Sequence, residues 1–222
     1  VLGATVTDFS AHPEALSVTI DVNRADHSSA FHHEATIHPA VGETASLRTS
    51  WTPESWPEEG YSVHTQLALQ GKTIAESRHE IQAWRPKAEK HFVTAADGEF
   101  RLDGKPWRVH GVNYMPSSGI GTEDSAYFEY WLGAKAYDPE VIQRDLERCR
   151  AMGLNALSIF IYRDYMEDQN LLDFLYRMDK LGMKANVSLR PGTPMDFPWA
   201  VVNDLIRYYR LAENDTVFAY DL

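Results

Sequence analysis

Hydrophobic and polar residues alternate at every second position in the first part of the chain. Residues 16–22 (Leu-Ser-Val-Thr-Ile-Asp-Val) and residues 61–69 show this pattern, which is typical of strands with one buried face. Turn-forming residues interrupt the pattern at intervals of about 8–12 residues. Residues 1–91 are therefore predicted to form an antiparallel β-sandwich.

The pattern changes after residue 92, where apolar segments of strand length alternate with amphipathic segments of helix length. The predicted strands and helices in chain order are 108–114, 139–152, 156–162, 170–181, 184–189, 200–211 and 216–220. Strict alternation of this kind predicts parallel strands joined by right-handed crossovers. Asp138 and Pro139 suit the N-cap and first turn of the first helix.

The inner stripe predicted for that helix consists of Val141, Ile142, Leu146, Cys149 and Met152, which recur at helical spacing. Further upstream, Asp97-Gly98 and Asp103-Gly104 flank residues 99–102 and predict tight hairpin turns.

Composition and charge exclude several classes of function. The 222 residues carry a formal net charge of −11, which is opposite to the basic surface of a nucleic-acid or anionic-membrane binder. Cys149 is the single cysteine, so no intrachain disulfide can form. No apolar segment reaches the length of a membrane span. We expect a soluble chain, whose compartment stays open because a signal peptide removed before Val1 would leave no trace.

Four segments carry a resemblance to a known group of enzymes. They are residues 97–114 (Asp-Gly-Glu-Phe-Arg-Leu-Asp-Gly-Lys-Pro-Trp-Arg-Val-His-Gly-Val-Asn-Tyr), 152–157 (Met-Gly-Leu-Asn-Ala-Leu), 181–186 (Leu-Gly-Met-Lys-Ala-Asn) and 218–222 (Phe-Ala-Tyr-Asp-Leu). In combination they resemble the first four strands of the catalytic (β/α)8 barrel, or TIM barrel, of retaining glycoside hydrolases. Several such families carry a β-sandwich before the barrel, and the region from Trp51 to Ile74 is similar to an immunoglobulin-type or fibronectin-type module.

The resemblance implies an immunoglobulin-like β-sandwich at 1–91 and the first half of a (β/α)8 glycosidase barrel at 92–222. Retaining hydrolysis needs two carboxylates, which these families place at the ends of strands four and seven. The acid/base glutamate is therefore expected just beyond Leu222, and no catalytic residue is predicted within the chain. The full-length protein is expected to be a glycosidase. This chain alone, whose two ends both look like cuts through a longer protein, is expected to be inactive.

One position departs from the pattern that the resemblance implies. Many members carry an arginine in the second strand that holds the nucleophile, whereas this sequence has Ser158 there. Arg163 and Arg190, at the ends of strands two and three, are the available substitutes.

Ligand contacts in such barrels come from the carboxyl ends of the strands. The residues predicted to bind the carbohydrate substrate are Asn113, Tyr114, Arg163, Asp164, Arg190 and Asp221. Their guanidinium, carboxylate and aromatic groups suit sugar hydroxyls and C–H faces. Two structural alternatives stay open: an ion pair between Arg163 and Asp164, and a pair between Arg190 and Asp221 that closes the barrel mouth.

The connection formed by residues 115–137 is long for a βα loop and rich in aromatic residues. We expect Phe128 and Trp131 to pack into the rim, while Tyr127 and Tyr137 either pack or form a wall for a polysaccharide.

No cofactor or metal is predicted, because the sequence contains no zinc-ligand or calcium-loop spacing, phosphate-binding glycine motif or nucleophile elbow. Two other functions stay open: a non-catalytic carbohydrate-binding or scaffolding protein, and a barrel enzyme of different chemistry. A half-barrel would leave strand edges unpaired. We therefore expect the remainder of the barrel to complete it, or the chain to self-associate.

Overall fold

A computed structural model describes residues 1–10, 14–117, 130–134, 136–162, 166–189 and 199–221. The chain divides into two compact units, Val1–Ala83 and Trp84–Leu222. The boundary lies slightly before the predicted one, so that Trp84 to His91 belong to the second unit. Among the described residues, no helix is long and apolar enough to cross a membrane.

The first unit consists of two antiparallel sheets. Its strands are β1 (Leu2–Thr7), β2 (Leu16–Asn23), β3 (Ser29–Ile37), β4 (Thr44–Thr49), β5 (Tyr61–Leu69) and β6 (Lys72–Ile81). One sheet pairs β1 with β4, and the other has the order β3-β2-β5-β6. The alternation in β2 buries Leu16, Val18, Ile20 and Val22, and hydrophobic residues of both sheets pack in one cluster around them.

The second unit begins with a small meander of β7 (Val93–Ala96), β8 (Glu99–Leu102) and β9 (Lys105–Pro106). Asp97 and Gly98 both have positive φ values, 54° and 78°, as a two-residue hairpin turn requires. Asp103 and Gly104 repeat this geometry at 52° and 74°. The predicted hairpin turns are thus confirmed.

A four-stranded parallel sheet with helical crossovers forms the rest of this unit. Its elements are β10 (Gly111–Asn113), α1 (Pro139–Ala151), β11 (Ala156–Phe160), α2 (Asp168–Lys180), β12 (Lys184–Ser188), α3 (Trp199–Tyr208) and β13 (Val217–Asp221). All three pairings are parallel and the strands lie in chain order. The predicted alternation of strands and helices is confirmed.

The ends of some elements differ from the prediction. The first parallel strand covers only Gly111–Asn113, because His110 hydrogen-bonds to the side chain and backbone of Asn155 outside the ladder. The third helix ends at Tyr208, since Arg210 has a φ of 52° that a helix cannot continue. Met152 was expected on an inner stripe, but it is 67% exposed because it lies past the last turn of α1.

The helices cover one face of the parallel sheet. At the start of α1, Asp138 Oδ1 accepts hydrogen bonds from the amides of Glu140 and Val141, and this confirms the predicted N-cap. The core under α1 and α2 contains Ile142, Leu146, Cys149, Leu171, Phe174, Leu175 and Met178, together with alternate residues of β11 and β12.

Candidate functional site

The face of the parallel sheet opposite the helices carries a different set of side chains. In β11, Leu157 and Ile159 are buried in the helix-side core, whereas Ser158 and Phe160 are half-buried. In β12, Ala185 and Val187 lie in that core. Because successive residues of a strand point to opposite faces, the intervening residues lie on the other side. We call this side the polar face.

Two rows of residues cross the polar face. The lower row consists of Asn113, Ser158 and Asn186, which are register partners on β10, β11 and β12. Asn186 Nδ2 donates to Ser158 Oγ at 3.2 Å, so these two side chains are in contact. Beyond this row of three, Ala219 is the partner of Asn186 on β13, and its methyl side chain adds no polar group.

The upper row lies one pleat closer to the carboxyl ends of the strands. Phe160 is the register partner of Ser188, and Ser188 is the partner of Asp221. Phe160 is half-buried, Ser188 is buried and Asp221 is exposed. Among the six residues of the two rows, Asp221 is the one ionisable group. The rows therefore offer neutral hydroxyl and amide groups, one carboxylate and one aromatic ring.

The chain segment before α1 is fixed to the carboxyl end of β11. Trp131 is 1% exposed, and its Nε1 donates to the carbonyl of Phe160 at 2.8 Å. The carbonyl of Leu132 accepts from the amide of Glu167 and from Asn170 Nδ2. These bonds confirm that Trp131 is packed, as expected, and they set the position of the end of β11.

Tyr137 also has a packing role. Its hydroxyl donates to Asp173 Oδ2 at 2.5 Å, and Arg177 Nε donates to the same oxygen at 2.7 Å. Burial raises the pKa of Tyr137, and the Asp173 carboxylate adds to this effect. Tyr137 therefore remains a protonated donor, in contrast to the polysaccharide wall that was one of its two expected roles. Tyr127 and Phe128 lie outside the described residues.

A network of charged groups lies at the amino end of the sheet. Lys184 begins β12, and its Nζ donates to the carbonyls of His91 and Asp215 at 2.9 and 2.6 Å. Lys87 Nζ lies 3.1 Å from Asp215 Oδ1 and 2.5 Å from Asp179 Oδ1. The backbone amide of His91 donates to Asp215 Oδ2 at 2.7 Å. These bonds hold the segment before β7 against β12 and the turn before β13.

Burial and charge act on this network in opposite directions. Burial alone would raise the pKa of Asp215, but the His91 amide and the Lys87 ammonium outweigh it and hold the pKa below its usual value. Burial lowers the pKa of Lys184, although nearby Asp215 opposes the shift.

Three aromatic rings pack edge to face near the same end of the sheet, those of Phe100, Trp107 and Phe218. The charged network and these packed rings therefore occupy the amino end of the sheet.

The structure places two of the six predicted substrate-binding residues on the polar face. Asn113 and Asp221 lie on the polar face, on the two outermost strands of the sheet. Arg163, Asp164 and Arg190 lie outside the described residues, so their sugar-binding role and the alternative ion pairs stay predictions.

Tyr114 lies in the helix-side core rather than on the polar face. It is 8% exposed, its ring stacks on Phe174 at 5.7 Å, and its hydroxyl donates to Asp145 Oδ2 at 3.4 Å. Burial raises the pKa of Tyr114 far above its usual value, and the nearby Asp145 carboxylate adds to this effect. This position does not support the predicted contact with sugar. Because side chains alternate along a strand, Asn113 on one face places Tyr114 on the other.

Sequence reasoning did not identify Asn186, Ser188 and Phe160 as residues of this face. It considered Ser158 only as the residue that stands where many members of the resembled families carry an arginine. The signal available was the polar residue at every second position of strands that are otherwise apolar, as in Ala-Asn-Val-Ser at 185–188. Within the described ranges, no group of three or more histidine, cysteine, aspartate or glutamate residues is arranged to hold a metal ion.

No family model and no curated protein matches the sequence. Solved structures that match include β-glucuronidase 2 of Bacteroides uniformis covalently bound to cyclophellitol-6-carboxylate aziridine, at 22% identity and a TM-score of 0.37 over 98% of this chain and 25% of that chain. A glycosyl hydrolase family 2 member from Bacteroides cellulosilyticus has 18% identity and a TM-score of 0.38, over 94% and 27%. An exo-chitosanase of Amycolatopsis orientalis has 15% identity and a TM-score of 0.40, over 98% and 25%. The chain spans about a quarter of these proteins.

Proposed function

We propose that this chain supplies the first half of the (β/α)8 barrel of a retaining glycoside hydrolase, preceded by an immunoglobulin-like sandwich, and that its polar face contacts the carbohydrate substrate. The observation that carries the proposal is the set of neutral hydrogen-bonding groups, Asn113, Ser158 and Asn186, aligned across parallel strands in chain order. It agrees with the motif series at residues 97–222.

The chemistry of the polar face suits sugar hydroxyls. Each hydroxyl of a sugar donates one hydrogen bond and accepts others, and asparagine amides and serine hydroxyls offer both functions. The carboxylate of Asp221 is an acceptor that can take a hydroxyl proton in a strong, charge-assisted hydrogen bond.

Retaining hydrolysis requires two carboxylates about 5–5.5 Å apart, and the two rows supply one, Asp221. We therefore assign Asp221 to substrate binding and expect the nucleophile and the acid/base to come from later strands. The acid/base glutamate is proposed to follow β13 directly. On this proposal the 222 residues alone bind sugar but do not hydrolyse it.

The edges of the parallel sheet support its completion by further strands. Val112 and Leu157 are register partners on the helix side, yet Val112 is 47% exposed whereas Leu157 is fully buried. Further elements of a barrel beside the edge strand β10 would bury this uncovered apolar side chain. The remainder of the barrel is the proposed neighbour, and self-association through the same edge is the alternative when the remainder is absent.

The test uses the gene product that carries these residues. It is incubated with 4-nitrophenyl glycosides of neutral hexoses and, separately, with 2-deoxy-2-fluoro glycosides that trap a glycosyl-enzyme. Hydrolysis together with a trapped glycosyl group on a carboxylate outside residues 1–222 is the expected result. Absence of both hydrolysis and labelling across the panel would overturn the proposal.

A second candidate is a carbohydrate-binding protein without catalysis. It is favoured by the presence of a single carboxylate in the two rows. Calorimetry with neutral oligosaccharides separates the two candidates, because a gene product that binds them but neither hydrolyses nor becomes labelled fits only this second function.

A further inference from the structure

Phe160 occupies an unusual position for a large apolar residue. Its neighbours Ile159 and Ile161 are buried in the helix-side core, whereas the Phe160 ring lies on the polar face beside Ser188 and is half-buried. The next residue of the row, Asp221, is exposed. An aromatic ring and a carboxylate thus flank a serine at the carboxyl ends of the strands, about 10 Å apart at two strand spacings.

The backbone that carries this ring is fixed from both sides. Trp131 Nε1 donates to the Phe160 carbonyl at 2.8 Å, and the Ile161 amide donates to the Ser188 carbonyl at 2.9 Å. Trp131 itself packs edge to face on Phe174 at 5.2 Å. A phenylalanine ring has two rotatable side-chain bonds, so little conformational entropy remains to be lost when it contacts a ligand.

We propose, on the basis of the function proposed above, that Phe160 is the platform on which the substrate's pyranose ring stacks and that it determines specificity with Asp221. A pyranose presents C–H groups on its faces and hydroxyls around its rim. The Phe160 ring contacts a C–H face, and the Asp221 carboxylate accepts from a rim hydroxyl. The preferred substrate is a neutral hexopyranoside, because a carboxylate on the sugar at that rim position meets the charge of Asp221.

The first experiment compares Phe160→Leu, which stays apolar but loses the ring, with Phe160→Tyr, which keeps it. Steady-state kinetics of the gene product on a neutral 4-nitrophenyl hexopyranoside are the readout. We expect kcat/KM to fall about 10-fold in Phe160→Leu and to stay within about 2-fold in Phe160→Tyr. Phe218→Leu is the matched control, since Phe218 lies on the same sheet at its amino end, and it should leave kcat/KM unchanged.

A second readout does not depend on turnover. Sugar C–H protons stacked on an aromatic ring shift upfield in NMR spectra, and this shift should be present with wild-type protein and Phe160→Tyr and absent with Phe160→Leu.

A third experiment tests the role of Asp221 in specificity. In Asp221→Asn, the ratio of kcat/KM for the hexoside to kcat/KM for the corresponding hexuronide should be smaller than in wild type.

The outcomes separate this proposal from the function on which it rests. A wild-type gene product that neither hydrolyses nor binds any glycoside contradicts the proposed function. Normal kcat/KM and an unchanged upfield shift in Phe160→Leu, with active wild-type protein, overturn the stacking platform alone. An unchanged hexoside preference in Asp221→Asn overturns the role of that carboxylate in specificity.

Discussion

Asn186 and Ser158 join neighbouring parallel strands through a side-chain hydrogen bond of 3.2 Å on the face of the sheet that the helices leave uncovered. Both are half-buried, and their register partner Asn113 is exposed at the edge of the sheet. The bond orients the Asn186 amide and leaves part of its capacity for a ligand, since an asparagine side chain has two donor hydrogens and an acceptor oxygen.

Replacing Asn186 by alanine should weaken carbohydrate binding more than it weakens the fold. Loss of one hydrogen-bonding group of a ligand site raises Kd about 3- to 10-fold, while a half-buried position tolerates truncation. Calorimetric titration of the gene product with the preferred oligosaccharide measures the change. Asn203→Ala is the control, because Asn203 is exposed on α3. Equal Kd values for Asn186→Ala and Asn203→Ala would remove Asn186 from the site.

Replacing Asp215 by alanine should destabilise the second unit. The Asp215 side chain is 4% exposed and accepts from the His91 amide and the Lys87 ammonium. Its loss leaves both donors without this acceptor, at a cost of about 2–3 kcal/mol. Hydrogen exchange of β12 and β13 amides, followed by mass spectrometry, should show faster exchange in Asp215→Ala. Glu213→Ala, which removes an exposed ion pair with Arg210, is the control and should leave this exchange nearly unchanged.

The same residue gives a prediction on pH. The pKa of Asp215 is lowered in the folded protein, so its contribution to the free energy of unfolding is present above the unfolded-state pKa of about 4. The contribution is lost as the pH falls through the lower folded-state pKa. The free energies of unfolding of wild type and Asp215→Asn, measured with urea, should therefore differ at about pH 7, and the difference should shrink as the pH falls below about 4. If the difference in unfolding free energy between wild type and Asp215→Asn stayed constant over this pH range, the lowered pKa of Asp215 would be wrong.

How far the sequence predicts this molecule depends on the range of the interactions concerned. The order of strands and helices follows from local periodicity, and the Asp138 cap and the Asp97-Gly98 turn follow from local chemistry. Residue pairs far apart in the chain carry no such signal. Lys87 and Asp215, 128 residues apart, form their contact only because the fold brings two segments together.

The orientation of side chains on buried strands was the harder part of the candidate site. Residues 156–162 form an almost continuous apolar segment, so hydrophobicity did not distinguish Phe160 from Ile159 or Ile161, which lie on the opposite face. Ser158 indicates the face on which Phe160 lies, because residues two apart on a strand lie on the same face of the sheet. The same rule places Tyr114 in the core once Asn113 is assigned to the polar face.

Trp131→Phe should impair the site through Phe160. The substitution keeps an aromatic ring in the core but removes the Nε1 hydrogen bond to the Phe160 carbonyl, whose loss is worth about 1–2 kcal/mol when the acceptor stays buried. We expect KM for the neutral hexopyranoside to rise severalfold while kcat changes less. If Trp131 acts through Phe160, the double variant with Phe160→Leu should be no worse than Phe160→Leu alone. Additive losses in the double variant would show that the two residues act independently.

Val112→Lys should reduce self-association of the 222-residue chain. Val112 is exposed at the edge strand β10 beside buried Leu157, and a charged side chain at a strand edge disfavours pairing with another chain. Analytical ultracentrifugation should show a smaller weight-average mass for Val112→Lys than for wild type at the same concentration. Met152→Lys is the matched control, because Met152 is an exposed apolar residue that follows α1 and belongs to no strand. A wild-type chain that sediments as a monomer at all concentrations would contradict association through the edge, and an equal effect of Met152→Lys would indicate general apolar contact instead.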